Sequence, residues 1–244
     1  MRTNLENRAT VAVIASALAA SPTHCADAIV DKLARVAPQI TVVRMQSTPA
    51  DGIFQVEIEE DNAPVYVTVD GTHLLTGDLY SLAEDGIENL TETWREGRRR
   101  TLLSELRMED MIVFSPAHNA PVVVYVFTDV DCPYCRMLHG DIRALNGYGI
   151  EVRYLAFPRY GDDSPTYARM VSVWCADDSR RALDEIKAGN AIPEQTCDNP
   201  VFKQFQLGQE LDIEGTPTLV TGAGKLLRGY QPPEAIAETL GLLK

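Results

Sequence analysis

Cys132, Pro133, Tyr134 and Cys135 are the residues whose types and spacing point most clearly to chemistry. Two thiols three positions apart, where a β-branched run gives way to a helix, have the spacing of a redox-active dithiol. A thiol at the start of a helix meets free backbone N–H groups and the positive end of the helix dipole, and both favour the thiolate. Pro133 suits the first helical position, because its missing N–H would have no partner there. Cys132 is therefore expected to attack, and Cys135, one turn further and deeper, to resolve. A Cys132 thiolate would open a disulfide to give a mixed disulfide, which a substrate thiol or Cys135 then releases. Asp129 and Asp131 oppose that thiolate if they face it. The competing readings are a static disulfide and half of a zinc site. Zinc would require a second Cys or His pair at ligand spacing. Cys175 and Cys197 do not form one, so no metal and no cofactor is expected.

The elements that must hold the dithiol follow from pattern. Residues 122–128 are apolar and β-branched and read as a buried strand. Residues 133–145 read as a helix and 150–157 as a second buried strand, together a parallel βαβ unit. Residues 158–212 read as helical. Ser164 and Pro165 start one helix, Ser179 caps a second that Gly189 stops, and Asn199 and Pro200 start a third. Strands at 218–221 and 226–229 flank a Gly222, Ala223, Gly224 turn, and a last helix begins at Pro233. This order is the thioredoxin arrangement, α/β with a helical insertion. Cys175, ending an apolar helix, and Cys197, in a loop, read as a structural disulfide worth about 3 kcal/mol on the chain-entropy argument. Pro217 opens a strand, and an X–Pro bond is trans by default. His139, Trp94 and Trp174 read as packing or surface residues.

The rest of the chain organises into three segments. Residues 1–26 read as an export signal: Arg2 and Arg8 precede an apolar stretch too short to span a bilayer, and small-residue cleavage sites follow. Cleavage after Ala26 or Ala28 removes Cys25 and leaves an even four cysteines, which suits an oxidising compartment. Residues 27–88 read as an α+β domain, one helix and a small antiparallel sheet with strands near 40–45, 53–59, 65–69 and 73–76. So small a unit buries little apolar surface and leaves a sheet edge open, which predicts a homodimer. Residues 89–111 read as a charge-rich linker helix bridging solvent, with Arg98, Arg99 and Arg100 on a solvated face. The catalytic domain then spans 112–244. A net charge of −13 argues against nucleic acid and anionic lipid as partners.

Several stretches together resemble the DsbC-type periplasmic disulfide isomerases. They are Phe127, Thr128 and Asp129 before the dithiol, the Val-Arg-Tyr-Leu-Ala-Phe-Pro-Arg run at 152–159, and Val173 to Ala176 around Cys175. Cys197 with Asp198, Gly215 with Thr216 and Pro217, and the Gly-Tyr-Gln-Pro-Pro run at 229–233 complete the set in the C-terminal half. The run at 65–71, with His73 and Gly77, fits as well. The resemblance implies a periplasmic, V-shaped homodimer whose thioredoxin-like domains face an apolar cleft for misfolded, disulfide-containing exported proteins. It implies Cys132 as nucleophile, Cys135 as resolving cysteine, a cis Pro217 with Thr216 beside them, and a Cys175–Cys197 disulfide. It also implies a membrane thiol reductase of the DsbD type that keeps the dithiol reduced. Pro133 departs from the pattern, since the isomerases usually carry Gly there. Cys-Pro-Tyr-Cys is similar instead to the DsbG type, which reduces sulfenylated cysteines. That activity, and a chaperone-like holdase with secondary redox activity, are the rival readings.

Overall fold

The computed structural model describes residues 22–59, 62–84, 86–118 and 122–243. The apolar stretch of the expected export signal lies outside them. The chain divides into two units, one ending at Gly77 and one starting at Asp78.

In the first unit, helix α1 (Pro22–Val36) precedes strands β1 (Val42–Ser47), β2 (Ile53–Ile58), β3 (Val65–Thr68) and β4 (Leu74–Leu75). The strands form one antiparallel sheet in that order. Gly52 and Gly71 take positive φ at the turns into β2 and after β3, which the Asp-Gly pairs allow. Ile29 and Leu33, one helical turn apart, pack with Phe54, Val56, Val65 and Val67. This is a small core. The edge strand β4 leaves Leu74 and Leu75 exposed.

The second unit opens with a hairpin that the sequence pattern does not announce, β5 (Tyr80–Ala83) and β6 (Gly86–Asn89). Helix α2 (Leu90–Ser104) follows, with the Asn89 side chain accepting from the Glu92 N–H as its cap. It ends well before residue 111. Nor is it a solvent-bridging helix with a solvated arginine face. Arg99 is only 3% exposed, donates to Glu92 at 2.7 Å and reaches the Gly224 carbonyl at 3.4 Å. Arg98 pairs with Glu210 at 2.7 Å, and Leu103 joins a core with Phe127, Leu155 and Val220. A helix with few apolar residues docks here through the Arg98–Glu210 pair, the reach of Arg99 to Gly224, and Leu102 and Leu103.

After a single 3-10 turn (Met108–Asp110) come β7 (Ile112–Phe114), β8 (Val122–Thr128), α3 (Pro133–Gly140), α4 (Ile142–Gly147) and β9 (Ile150–Ala156). The helical insertion holds α5 (Pro165–Trp174), α6 (Ser179–Lys187) and α7 (Val201–Glu210), and β10 (Thr218–Thr221), β11 (Leu226–Arg228) and α8 (Pro233–Thr239) close the fold. The sheet order is β11-β10-β8-β9-β7, parallel only between β8 and β9. Val124 and Val126 of β8 join Val152 and Tyr154 of β9 in one core, while Phe127 and Leu155 belong to the other. Both faces are covered, which is why these strands read as unbroken apolar runs.

Three local expectations need correction. The helix expected over 133–145 breaks at Asp141 into α3 and α4. Asp178, not Ser179, caps α6, because its carboxylate accepts from the Arg181 N–H. The third insertion helix starts at Val201, with Asn199 accepting from the Val201 N–H. Cys175 and Cys197 form a disulfide, Cα to Cα 5.7 Å, joining the end of α5 to the loop before α7.

Candidate functional site

Strand β8 carries the chain to the dithiol. The Cys132 N–H donates to the Asp129 carbonyl at 3.2 Å, Cys132 caps α3, and Pro133 takes its first position. Cys132 and Cys135 are not joined in a disulfide, and each is 1% exposed. The Thr216–Pro217 peptide is cis, against the trans default and as the family resemblance implies. The Thr216 carbonyl lies 3.1 Å from the Cys132 sulfur and accepts its thiol proton. Gly215 and Pro217 hold this loop through the Thr218 hydroxyl at 2.7 Å and the Gly229 N–H at 2.9 Å. Tyr134 and Met137, on the first turns of α3, and Tyr160 are exposed apolar side chains.

The two sulfurs ionise in opposite senses. Cys132 is pulled down to about 5, first because the Cys135 thiol donates to it. The Thr216 hydroxyl, the Cys135 N–H and the Arg159 charge add to this, and burial opposes it. The Thr216 hydroxyl is buried and finds no hydrogen-bond partner among the described residues while Cys132 is a thiol, so it is free to turn to the thiolate. Burial pushes Cys135 far above the ordinary thiol range, and hydrogen bonding to Cys132 adds to that.

Asp129 and Asp131 do not oppose the thiolate, because both carboxylates are occupied. Asp129 accepts from the Asp131 N–H at 2.7 Å and from the Arg159 N–H and Nε at 3.0 and 3.1 Å. Asp131 accepts from the Thr166 hydroxyl and Arg169. The Asp129–Arg159 pair thus holds a cation near Cys132. Arg159 belongs to the 152–159 run quoted above, but nothing in its spacing marks it as part of the site. Lys187, at the end of α6, is another such residue. Its Nζ donates to the Thr128 hydroxyl and the Asp129 carbonyl, each at 2.8 Å. A lone lysine in an amphipathic helix gives no sequence signal. His139 is no free surface residue: it sits between the Tyr154 hydroxyl at 3.1 Å and Asp184 at 2.8 Å, and burial lowers its pKa.

A parallel β8–β9 core, a dithiol at the N-terminus of α3 and a cis proline against it define a thioredoxin-fold thiol–disulfide oxidoreductase. Residues 108–244 match the thioredoxin-like domain family, and residues 15–92 match the disulfide bond isomerase protein N-terminal domain. The chain belongs to the DsbC family of thiol:disulfide interchange proteins. It is 37% identical to the thiol:disulfide interchange protein DsbC of Escherichia coli K12 over 178 residues, 72% of each chain. It is 35% identical to that of Salmonella typhimurium over 214 residues, 86% of this chain and 85% of the relative. The crystal structure of a disulfide interchange protein from Neisseria gonorrhoeae is 27% identical, with a TM-score of 0.50, over 56% of this chain and 96% of that one. Among the described residues, no helix is long and apolar enough to cross a membrane.

Proposed function

We propose that this protein reduces and isomerises wrong disulfides in exported proteins, with Cys132 as nucleophile and Cys135 as resolving cysteine. The observation that carries this reading is the placement of two unbridged thiols, Cys132 at the cap of α3 against the cis Thr216–Pro217 loop and Cys135 buried one turn behind it. The Cys132 thiolate attacks one sulfur of a wrong disulfide, and the other substrate sulfur leaves as a thiolate. A different substrate thiolate then attacks the mixed disulfide, forms a new substrate disulfide and releases Cys132 as thiolate. No net oxidation occurs in that cycle. Where the substrate stalls, Cys135 loses its proton and attacks Cys132, the substrate leaves reduced, and the protein is left as the Cys132–Cys135 disulfide. Thr216 and Pro217 form the active-site loop beside Cys132, and the exposed Tyr134, Met137 and Tyr160 give unfolded chains an apolar contact. The Cys175–Cys197 disulfide serves stability only.

The setting belongs to the same proposal. Residues 1–26 direct export to the periplasm. The protein works as a homodimer through its N-terminal unit, whose small core and open β4 edge with Leu74 and Leu75 exposed favour a second copy. The first unit ends at Gly77, and α2 packs as part of the catalytic unit. A membrane thiol reductase of the DsbD type returns the dithiol to its reduced state. The test is recovery of activity by a scrambled multi-disulfide protein. Wild type in a reducing buffer restores it, and Cys132→Ser loses the effect. Equal recovery with Cys132→Ser would refute the reading.

A further inference from the structure

Lys187 is a buried charge that the thiol cycle above does not use. It is 5% exposed, yet its amine ends beneath the dithiol, bonded to the Thr128 hydroxyl and the Asp129 carbonyl at 2.8 Å each. The same Thr128 hydroxyl bonds to the Cys135 sulfur. One hydroxyl therefore bridges the amine and the resolving thiol. Lys187 also lines a cleft of about 450 Å³ with Arg136, His139, Arg143 and Asp184, so solvent lies beside the residue.

We propose that Lys187 is the positioning residue for the resolving thiol, holding the Thr128 hydroxyl and taking the Cys135 proton through it. This rests on the dithiol reading above. A hydroxyl can donate and accept at once, so the bridge runs in either direction. With Cys135 as thiol and Lys187 as free amine, S–H donates to the Thr128 oxygen and O–H donates to Nζ. When the proton moves, Cys135 becomes thiolate, the ammonium donates to the Thr128 oxygen, and O–H donates to the sulfur. The thiolate then attacks Cys132 in the mixed disulfide. A Cys132–Cys135 bond forms, the bond from Cys132 to the substrate breaks, and the substrate leaves as thiolate. The ammonium gives its proton to water in the cleft.

The surroundings suit this exchange. Burial pulls Lys187 down to about 8, so the amine gives up its proton close to neutrality. The groups facing it are Cys132 at the cap of α3, Cys135 and Arg136 on α3 with His139 further along, Asp129 just after β8, and Asp184 on α6. The Asp129 carboxylate is taken by Arg159 and offers Lys187 only its backbone carbonyl as a hydrogen-bond partner, while Asp184 is held by His139. Cys135 heads the charges that favour the ammonium. Two groups this close titrate as a pair, and the pair's first proton loss makes the reactive thiolate.

The test is rapid mixing of the reduced protein with an aromatic disulfide whose released thiolate is coloured. The first phase is attack by Cys132 and the second is resolution by Cys135. In wild type the second phase rises with pH and levels off above about pH 8. Lys187→Met lowers it about tenfold or more at neutral pH, and the rate climbs without levelling off. Thr128→Val, which keeps the amine and removes the bridge, loses the plateau in the same way. A wild-type plateau in either variant overturns the proposal. If wild type shows no second phase at all, the dithiol reading fails instead, and with it this one.

Discussion

Cys132 and Cys135 are chemically alike and differ only in what each meets. Cys132 collects donors: the Cys135 thiol, the Thr216 hydroxyl and a helix N-terminus, with Arg159 nearby. Cys135 collects burial. Because Cys132 is pulled down from the ordinary thiol value to about 5, the reduced fold loses stability as pH falls through about 5. That contribution grows as pH rises and is complete only above the unfolded thiol's pKa. The Cys132–Cys135 disulfide has no thiolate to stabilise, so above pH 5 the reduced form is favoured and the pair is correspondingly oxidising. Alkylation of Cys132 should therefore show a midpoint near pH 5. Thr216→Val should raise that midpoint by roughly one pH unit, the worth of one lost hydrogen bond to a charged group. An unmoved midpoint would show that the Thr216 hydroxyl does not stabilise the thiolate. The dithiol itself is legible in the sequence because its chemistry requires a local spacing. Thr216 and Lys187 are not legible from spacing, since they reach their partners across 84 and 59 positions. Only the likeness to a family pointed to Thr216, and nothing pointed to Lys187.

Gly224 shows how one backbone position seats a whole helix. Its φ is +93°, and a Cβ there would overlap the Glu96 carbonyl of α2. Gly224→Ala therefore strains the turn and pushes α2 off the catalytic unit together with Arg99 and Leu103. We expect a loss of about 2–4 kcal/mol in urea denaturation, from the left-handed backbone and the overpacking combined. A variant within 0.5 kcal/mol of wild type, roughly the scatter of surface changes, would show that α2 docks by other contacts. Strands β8 and β9 are legible because a sheet covered on both faces demands unbroken apolar runs. Hairpin β5–β6 and strand β7 are not: they are three or four residues long, the hairpin is of mixed polarity, and pairing rather than composition makes them strands. The docking of α2 escaped for the same reason. Its charge-rich sequence looks solvated, while Glu210, which pairs with Arg98, and the Gly224 carbonyl that Arg99 reaches lie more than a hundred positions away.

The whole molecule joins a small N-terminal unit to a complete thioredoxin-like unit, and the DsbC family shares both. The catalytic unit carries the dithiol, the cis proline loop and helix α2 within itself, so the chain from Asp78 onward should reduce simple disulfides at close to the wild-type rate. It should lose most isomerase activity on scrambled proteins, since it lacks the unit through which we expect dimerisation. Full isomerase activity from that fragment would contradict a role for the first unit. The split into two units is legible from composition, as a sheet of short strands too small to stand alone ahead of the dithiol domain. The division at Gly77 is less legible: composition carries the first domain to residue 88, while in the fold the chain from Asp78 onward groups with the second unit.

The most direct test is the covalent intermediate. Cys135→Ser protein, mixed with a scrambled multi-disulfide substrate, should accumulate an adduct that dithiothreitol releases. Peptide mapping should place the substrate cysteine on Cys132. An adduct on any other cysteine, or none while Cys132→Ser still restores the substrate, would contradict Cys132 as the nucleophile of disulfide interchange.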